Sequence, residues 1–447
     1  MEPTWESIRR HQVPEWYRNA KLGIFIHWGL YSVPAWAPTT GELGTVDWKQ
    51  WFRLNPYAEW YLNTLRIKDS PTYKHHLETY GKDFDYYQFA PMFNQATAKW
   101  DPSSWAAVFR KTGARYAVLT TKHHDGFRLW PSKVPNPRRK GPEISASRDL
   151  VGDLTAAVRS AGMKMGLYYS GGLDWTFTQE PIQDRADLRR MIPQGEDYAR
   201  YADAHWTELT DRYQPAVMWN DINYPKAGKL PEIFAHYYNT VKDGVVNNRF
   251  GVEFADFTTP EYSRYDKITE KKWESCRGLG FSFGYNQAEG PEQVIAADKL
   301  IWLLVDIVSK NGNLLLNIGP RPDGSISDIQ LDRLHKLGEW LAVNGEGIFD
   351  SQPWVRPSAS GAGAPQARFT RKNDSVYAYL ESAAPGNLTI PGVIAAEGSK
   401  VRILGSNADS EWTQRGRDLQ IKPQAAVSGN AAIGIRITPE PWQVVKG

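Results

Sequence analysis

The sequence predicts an α/β chain, a (β/α)8-like TIM barrel over residues 1–348 followed by a C-terminal antiparallel β-sandwich over residues 349–447. Three observations carry that expectation. Strand and helix patterns alternate through the first three-quarters of the chain, as a parallel sheet with helical crossovers requires. Four apolar runs end abruptly in His, Asp, Tyr or Trp: Gly23–Gly29 (GIFIHWG), Ala117–Gly126 (AVLTTKHHDG), Gly166–Gly172 (GLYYSGG) and Ala216–Asp221 (AVMWND). Parallel barrels build their active sites at such strand ends. Past Ile348 the pattern changes to short alternating runs separated by turns, the mark of a small antiparallel domain.

The elements follow in order. Asp101-Pro102 opens a helix with an aspartate cap and a proline in the first turn, Trp105, Val108 and Phe109 give it an apolar face, and Gly113 stops it. The strand Tyr116–Thr121 comes next. Asp149 leads a second helix carrying Leu150, Leu154 and Val158, Gly162 ends it, and Met163–Tyr169 reads as a strand. A helix around Tyr198–Tyr213 feeds the strand Ala216–Trp219, and Gly244–Asn247 is strand-like. Val294–Ser309 is a strongly apolar helix, Gly312–Ile318 a buried strand and Asp328–Ala342 a closing amphipathic helix. Six to eight such units favour a closed barrel over an open sheet. In the tail, Ser358–Pro365 reads as a flexible linker. Strands are expected at Ser375–Leu380, Asn387–Ile390, Lys400–Leu404, Leu419–Ile421 and Ile433–Ile437, with turns at Pro385-Gly386, Pro391-Gly392 and Ser428-Gly429. No catalytic constellation falls there, so its expected role is structural.

Composition excludes several classes. A net charge of +3 and no basic run longer than Arg138-Arg139-Lys140 argue against nucleic acid. The single cysteine, Cys276, excludes an internal disulfide and a Cys-rich metal site. Met1–Glu6 has no apolar stretch resembling a signal peptide, and no run approaches the roughly 18 apolar residues of a membrane helix. A cytoplasmic location is expected, although a secreted chain with its leader removed would read the same. Most of the 19 tryptophans are expected to fill core, with Trp28, Trp36, Trp60 and Trp219 standing beside polar motif residues.

Asp221 is the candidate nucleophile. It is the first acidic residue after its strand's apolar run, and no helix follows before about Pro231 for it to cap. A second carboxylate must serve as acid/base. Glu261, in Thr258-Thr259-Pro260-Glu261-Tyr262, competes for that role with Glu253, Asp256, Asp266, Glu270 and Glu274. His123 and His124 are adjacent, so both face one pocket only where their strand has ended; with His27 they would offer donors to sugar hydroxyls. A metal site is the rival reading, but Phe25 and Gly29 occupy the positions two away from His27, so no metal is expected. His11, His75, His76, His205, His236 and His335 are expected on the solvated surface. Glu59, Arg249 and Phe283 are softer candidates: Arg249 as a fixed cation, Phe283 as an apolar wall.

The motifs together resemble the α-L-fucosidases of glycoside hydrolase family 29, in the branch of broad specificity active on aryl fucosides. The matching segments are Gly23–Gly29, Lys122–Trp130 (KHHDGFRLW), Arg148–Asp153 (RDLVGD), Tyr168–Trp175 (YYSGGLDW), Trp219–Asp221 (WND), Arg277–Asn286 (RGLGFSFGYN) and Ser309–Pro320 (SKNGNLLLNIGP). The resemblance implies a retaining exo-enzyme with Asp221 as nucleophile and Glu261 as acid/base. It implies a fucose pocket of His27, Glu59, His123, His124, Tyr168, Trp219, Arg249 and Phe283, with Phe283 on the C6 methyl group. The implied partner is a fucosylated oligosaccharide or glycoconjugate. No cofactor is implied, and a homo-oligomer is an expectation from relatives. Relatives often carry Asn-Asp-Arg where this chain has Asn247-Asn248-Arg249. Transfer to sugar acceptors is a second implied outcome, with Thr39–Trp51 and Pro131–Ser147 expected around the aglycone. Rival readings are a glycosidase for another sugar, such as an α-galactoside, and a catalytically silent fucose-binding lectin.

Overall fold

The computed structural model describes residues 1–361, 364–382, 386–424 and 431–443. Its central sheet has seven strands: β1 (Leu22–Ile26), β2 (Tyr116–Lys122), β3 (Lys164–Ser170), β4 (Val217–Asp221), β5 (Val245–Val246), β6 (Trp273–Gly278) and β7 (Gly312–Ile318). They pair in the order β5-β4-β3-β2-β1-β7-β6, all parallel. The sheet curls, and its two edges meet across residues 257–261. That segment bridges Asn247 through Phe257 on one side, and Trp273 and Cys276 through Thr258 and Glu261 on the other. It stands where an eighth strand belongs but is not a regular one: Pro260 lacks an N–H and breaks the ladder. Only a single 3-10 turn, Asn248–Phe250, separates it from β5, and no helix separates it from β6, so the β/α alternation lapses at this one place.

Local chemistry explains the flanking helices. Pro102–Thr112 starts on Asp101, whose carboxylate accepts from the Ser103 N–H, and stops at Gly113 with φ 91°. Leu150–Ser160 starts on Asp149 in the same way. At the end of β3 a side chain would be impossible. A Cβ on Gly172 would lie 1.4 Å from the Ile222 carbonyl oxygen, so glycine lets β3 press against the end of β4 beside Asp221.

The tail forms β8 (Gln352–Gly361), β9 (Ala364–Lys372), β10 (Ser375–Leu380), β11 (Leu388–Ile390), β12 (Val393–Ile394), β13 (Lys400–Ile403), β14 (Glu411–Arg415), β15 (Asp418–Lys422), β16 (Ile433–Thr438) and β17 (Trp442–Gln443). These make antiparallel sheets of order β13-β16-β10-β9-β8, β11-β15-β14 and β12-β17 around a core that includes Trp354, Phe369, Val376 and Ile435. The expected linker is overturned. Ser358 and Ala359 pair with Arg368 and Ala367, and Gly361 with Ala364, in the β8–β9 hairpin. β8 is an edge strand, where one paired neighbour orders even small residues and Pro353 is tolerated. The turns anticipated at Pro385 and Ser428-Gly429 lie outside the described residues. The sandwich rests on the helix Ala297–Ser309, whose buried Asp306 accepts from Lys310 at 2.8 Å and from Arg368 of β9 at 2.5 Å. Among the described residues no helix is long and apolar enough to cross a membrane.

Two histidines expected on the surface are buried instead, and a third is half-buried. His205 bonds the Tyr169 hydroxyl, His76 sits between the Tyr61 hydroxyl and the Phe84 carbonyl, and His11 stacks on Tyr238 while bonding Asp256. A loop or helix position says nothing of burial when the ring finds partners on both sides.

Candidate active site

At the C-terminal end of the barrel lies a cavity of about 220 Å³, the space of a single pyranose ring. All ten residues singled out from the sequence line it: His27, Glu59, His123, His124, Tyr168, Trp219, Asp221, Arg249, Glu261 and Phe283.

Arg249 organises its floor. One terminal nitrogen donates to Asp221 Oδ1 at 2.9 Å and the other to Glu261 Oε2 at 2.9 Å. Its Nε donates to the Thr259 hydroxyl, and the guanidinium lies over the Trp219 ring, 4.8 Å from the centroid. Asn248 accepts from both the N–H and the hydroxyl of Thr259, tying the Arg249 loop to the Glu261 segment. Both bonds end on the Asn248 Oδ1 oxygen, which an aspartate would also supply, so the departure from the relatives' Asn-Asp-Arg costs no contact here.

Asp221 is the better-held carboxylate. Oδ1 also accepts from the Ile222 N–H at 3.0 Å, and Oδ2 accepts from the Tyr168 hydroxyl at 2.9 Å. Burial alone would raise its pKa. The charge of Arg249, its hydrogen bond and that of the Tyr168 hydroxyl outweigh burial and hold the carboxyl below the usual aspartate value. Glu261 Oε1 accepts from the Tyr57 hydroxyl at 2.9 Å. The rival carboxylates do not reach the cavity. Glu253 is exposed and pairs with Arg9, Asp266 and Glu270 are exposed, and Asp256 is spent on His11, Tyr238 and the Val246 N–H. Glu274 is sealed in the barrel interior, where it accepts from Tyr17, Tyr116 and the Trp219 indole.

The three histidines are neutral, and their tautomers can be argued. Asn317 Nδ2 donates to the Phe283 carbonyl, so its Oδ1 faces His27 Nδ1 at 2.6 Å and accepts a hydrogen bond from the Nδ1–H. The Ser170 hydroxyl donates to the Leu173 carbonyl, so it accepts from His124 Nδ1 at 2.6 Å. Both rings therefore keep an Nε2 lone pair, able to accept from a sugar hydroxyl. Burial lowers the His27 pKa to about 3 and that of His124 to about 4. His123 lies beside them, stacked on Tyr168, with a buried Nδ1 that has no partner among the described residues. Glu59 accepts from the Gly284 N–H, and burial pushes its pKa up to about 7.

Sequence reasoning missed part of the wall. Phe25, Tyr57, Cys276 and, at the rim, Leu43, Trp48, Trp51, Phe52 and Leu188 line the cavity. The rim residues up to Trp51 come from the loop anticipated near the aglycone, whereas none from Pro131–Ser147 does. Trp28 turns away onto Trp100 and Trp105, and Trp36 stacks on His75 outside the cavity. Trp48 and Trp51 carried one usable signal, their i, i+3 spacing behind the capping Asp47.

The histidine pair is held from behind. Lys122, fully buried, donates to Asp174 Oδ2 at 2.8 Å, and the Trp175 N–H donates to the His124 carbonyl. Replacing Lys122 with methionine leaves Asp174 charged in the interior, and the expected loss of stability is about 3–5 kcal/mol, read by urea unfolding. A loss under about 1 kcal/mol would mean that the pair is not what holds this end of β2.

A parallel barrel whose C-terminal face sets two carboxylates on one guanidinium, inside a ring-sized aromatic cup, is the layout of a glycoside hydrolase. The profile of the α-L-fucosidase family matches residues 1–346. Bovine tissue α-L-fucosidase is 34% identical over 460 residues, covering 98% of this chain and 91% of its own. Thermotoga maritima α-fucosidase, solved with a mechanism-based inhibitor, superposes with a TM-score of 0.88 at 44% identity, covering 98% of this chain and 99% of that one. An α-L-fucosynthase of the same organism, bound to α-L-Fuc-(1-2)-β-L-Fuc-N3, gives 0.89 at 44% identity over 97% of this chain and 99% of that one. The chain belongs to the α-L-fucosidase family. It is a glycoside hydrolase that releases α-L-fucosyl groups.

Proposed function

We propose that the enzyme removes single terminal α-L-fucosyl residues with retention of configuration, Asp221 acting as nucleophile and Glu261 as acid/base. The observation that carries this reading is the bridging of both carboxylates by Arg249. Two carboxylates sharing one planar guanidinium support a close pair, as a retaining enzyme with its roughly 5–5.5 Å separation needs. Asp221 attacks the anomeric carbon as the bond to the aglycone oxygen breaks, and Glu261 gives that oxygen its proton. Glu261 then takes a proton from water, whose oxygen attacks the same carbon and frees Asp221. Two inversions leave the configuration unchanged.

The pocket residues divide the sugar between them. His27 and His124 accept from hydroxyls through Nε2, Glu59 bonds another, and Phe283, packed against Phe25, His27 and Tyr57, walls off the C6 methyl group. The volume for one ring supports exo action. The apolar rim of Leu43, Trp48, Trp51 and Leu188 supports the branch active on aryl fucosides, because an aromatic leaving group finds a matching surface there. The fucosynthase relative supports transfer to a sugar acceptor in competition with water.

The test is Glu261→Ala on two substrates. Hydrolysis of a fucosyl disaccharide is expected to fall by about 10²–10⁴-fold, the range of general acid catalysis, while a dinitrophenyl fucoside that needs no protonation loses far less in the fucosylation step. Equal losses on both substrates would move the acid/base role to another carboxylate, with Glu59 the one to try next.

A further inference from the structure

We infer that the N-terminal end of the barrel carries a second binding site, for a phosphate- or sulfate-type oxyanion, held by the ammonium groups of Lys21 and Lys272. A groove of about 1160 Å³ opens there between the barrel and the start of β8, at the opposite end from the catalytic cavity. Lys21 stands between the helix Glu15–Ala20 and β1, and Lys272 immediately precedes β6. Both line the groove, yet only 2% and 5% of their surfaces are exposed. Both donate to one acceptor, the Arg18 carbonyl oxygen, Lys21 at 2.9 Å and Lys272 at 3.2 Å, which makes the two ammonium groups immediate neighbours.

An ammonium has three protons to donate, and each of these makes one hydrogen bond and no ion pair among the described residues. Capping a single carbonyl at the end of a short helix takes one cation; two buried side by side repel and leave donors unused. The carboxylates nearby are committed elsewhere or stand outside. Glu253 pairs with Arg9, Asp256 with His11 and Tyr238, and Glu274 faces the barrel interior; Glu15 and Glu270 are exposed at the rim. The Arg18 and Lys271 side chains, also exposed on this groove, add to the positive field. A dianion with several oxygens matches what is missing: acceptors for the free ammonium protons and charge to offset both cations.

The titration of the pair agrees with the geometry. Burial lowers the Lys21 pKa to about 8, with Asp350 opposing. Burial, then the charges of Lys21 and Arg18, pull Lys272 far below the ordinary lysine value, with Glu274 opposing. An anion seated between them favours the charged forms, so binding near neutral pH takes up protons.

Isothermal titration calorimetry with inorganic phosphate tests the site. The wild-type chain is expected to bind one phosphate, with a heat that changes with buffer ionisation enthalpy as protons are taken up, and inorganic sulfate is expected to compete. Lys272→Met and Lys21→Met are each expected to weaken binding about tenfold or more. Hydrolysis of 4-nitrophenyl α-L-fucoside should stay within about twofold of wild type, which also shows that the variants fold. If one variant does not fold, the other together with the proton uptake of the wild type decides. The inference is overturned if the wild type shows no saturable binding, if a folded variant binds as the wild type does, or if L-fucose displaces the phosphate and so places it in the catalytic cavity.

Discussion

Asp221→Gly is expected to cut hydrolysis of 4-nitrophenyl α-L-fucoside by about 10⁴-fold or more, the scale on which removal of a covalent nucleophile acts. The loss should fall on kcat, because the substitution leaves His27, His124 and Glu59, the residues proposed to bind the sugar, in place. Three donors lose their acceptor in the variant: Arg249, the Tyr168 hydroxyl and the Ile222 N–H. Against that, a buried carboxylate no longer has to be desolvated. The net effect on stability is expected within about 1–3 kcal/mol, so the fold survives and circular dichroism should not change. The space left by the side chain sits where the covalent bond would form. A β-configured fucosyl donor with a good leaving group mimics the intermediate there, and the variant should pass its sugar to an acceptor without hydrolysing the product. Residual hydrolysis above about a tenth of wild type would remove Asp221 from the role.

Arg249→Met is expected to cost about 10²–10³-fold in kcat/KM and to move the acid limb of the pH profile upward. The direction follows from the electrostatics. Burial raises the Asp221 pKa, and Arg249 is the largest of the opposing influences that keep it below the ordinary value. Without the guanidinium the carboxyl titrates at higher pH, so the ionised nucleophile, and with it activity, is lost sooner as pH falls. Lysine should rescue little, because one ammonium cannot offer parallel donors to Asp221 and Glu261 while lying flat on Trp219. An unchanged acid limb in a folded Arg249→Met protein would show that another group sets it.

Most of the barrel was legible because each unit carried its own punctuation. The helix Pro102–Thr112 is bounded by Asp101 and Gly113, and β7 matches its apolar run residue for residue. What escaped was decided by pairing across distance. Ser358–Gly361 has no strand signal of its own and is ordered by β9; the stretch at 257–261 is recruited as barrel wall by Asn247 on one side and Trp273 and Cys276 on the other. The site divides the same way. Asp221 could be read from the chain because a charge ending an apolar strand is anomalous. Glu261 could not be separated from five other carboxylates, since what distinguishes it is that Arg249 and Tyr57 reach it. The aromatic rim and the burial of His76 and His205 likewise depend on neighbours remote in the chain.

The uneven closure of the barrel gives the two carboxylates different footings. Asp221 ends β4 and pairs there with Ser170 of β3, while Val217 and Met218 of the same strand pair with β5; Glu261 rides on a stitched-in stretch with three isolated bridges and no α-helix between it and β5 or β6. On the proposed assignment, nucleophile chemistry is built into the frame, while proton delivery to the leaving group depends on a stretch held by single bridges and by the Arg249 and Tyr57 bonds to Glu261.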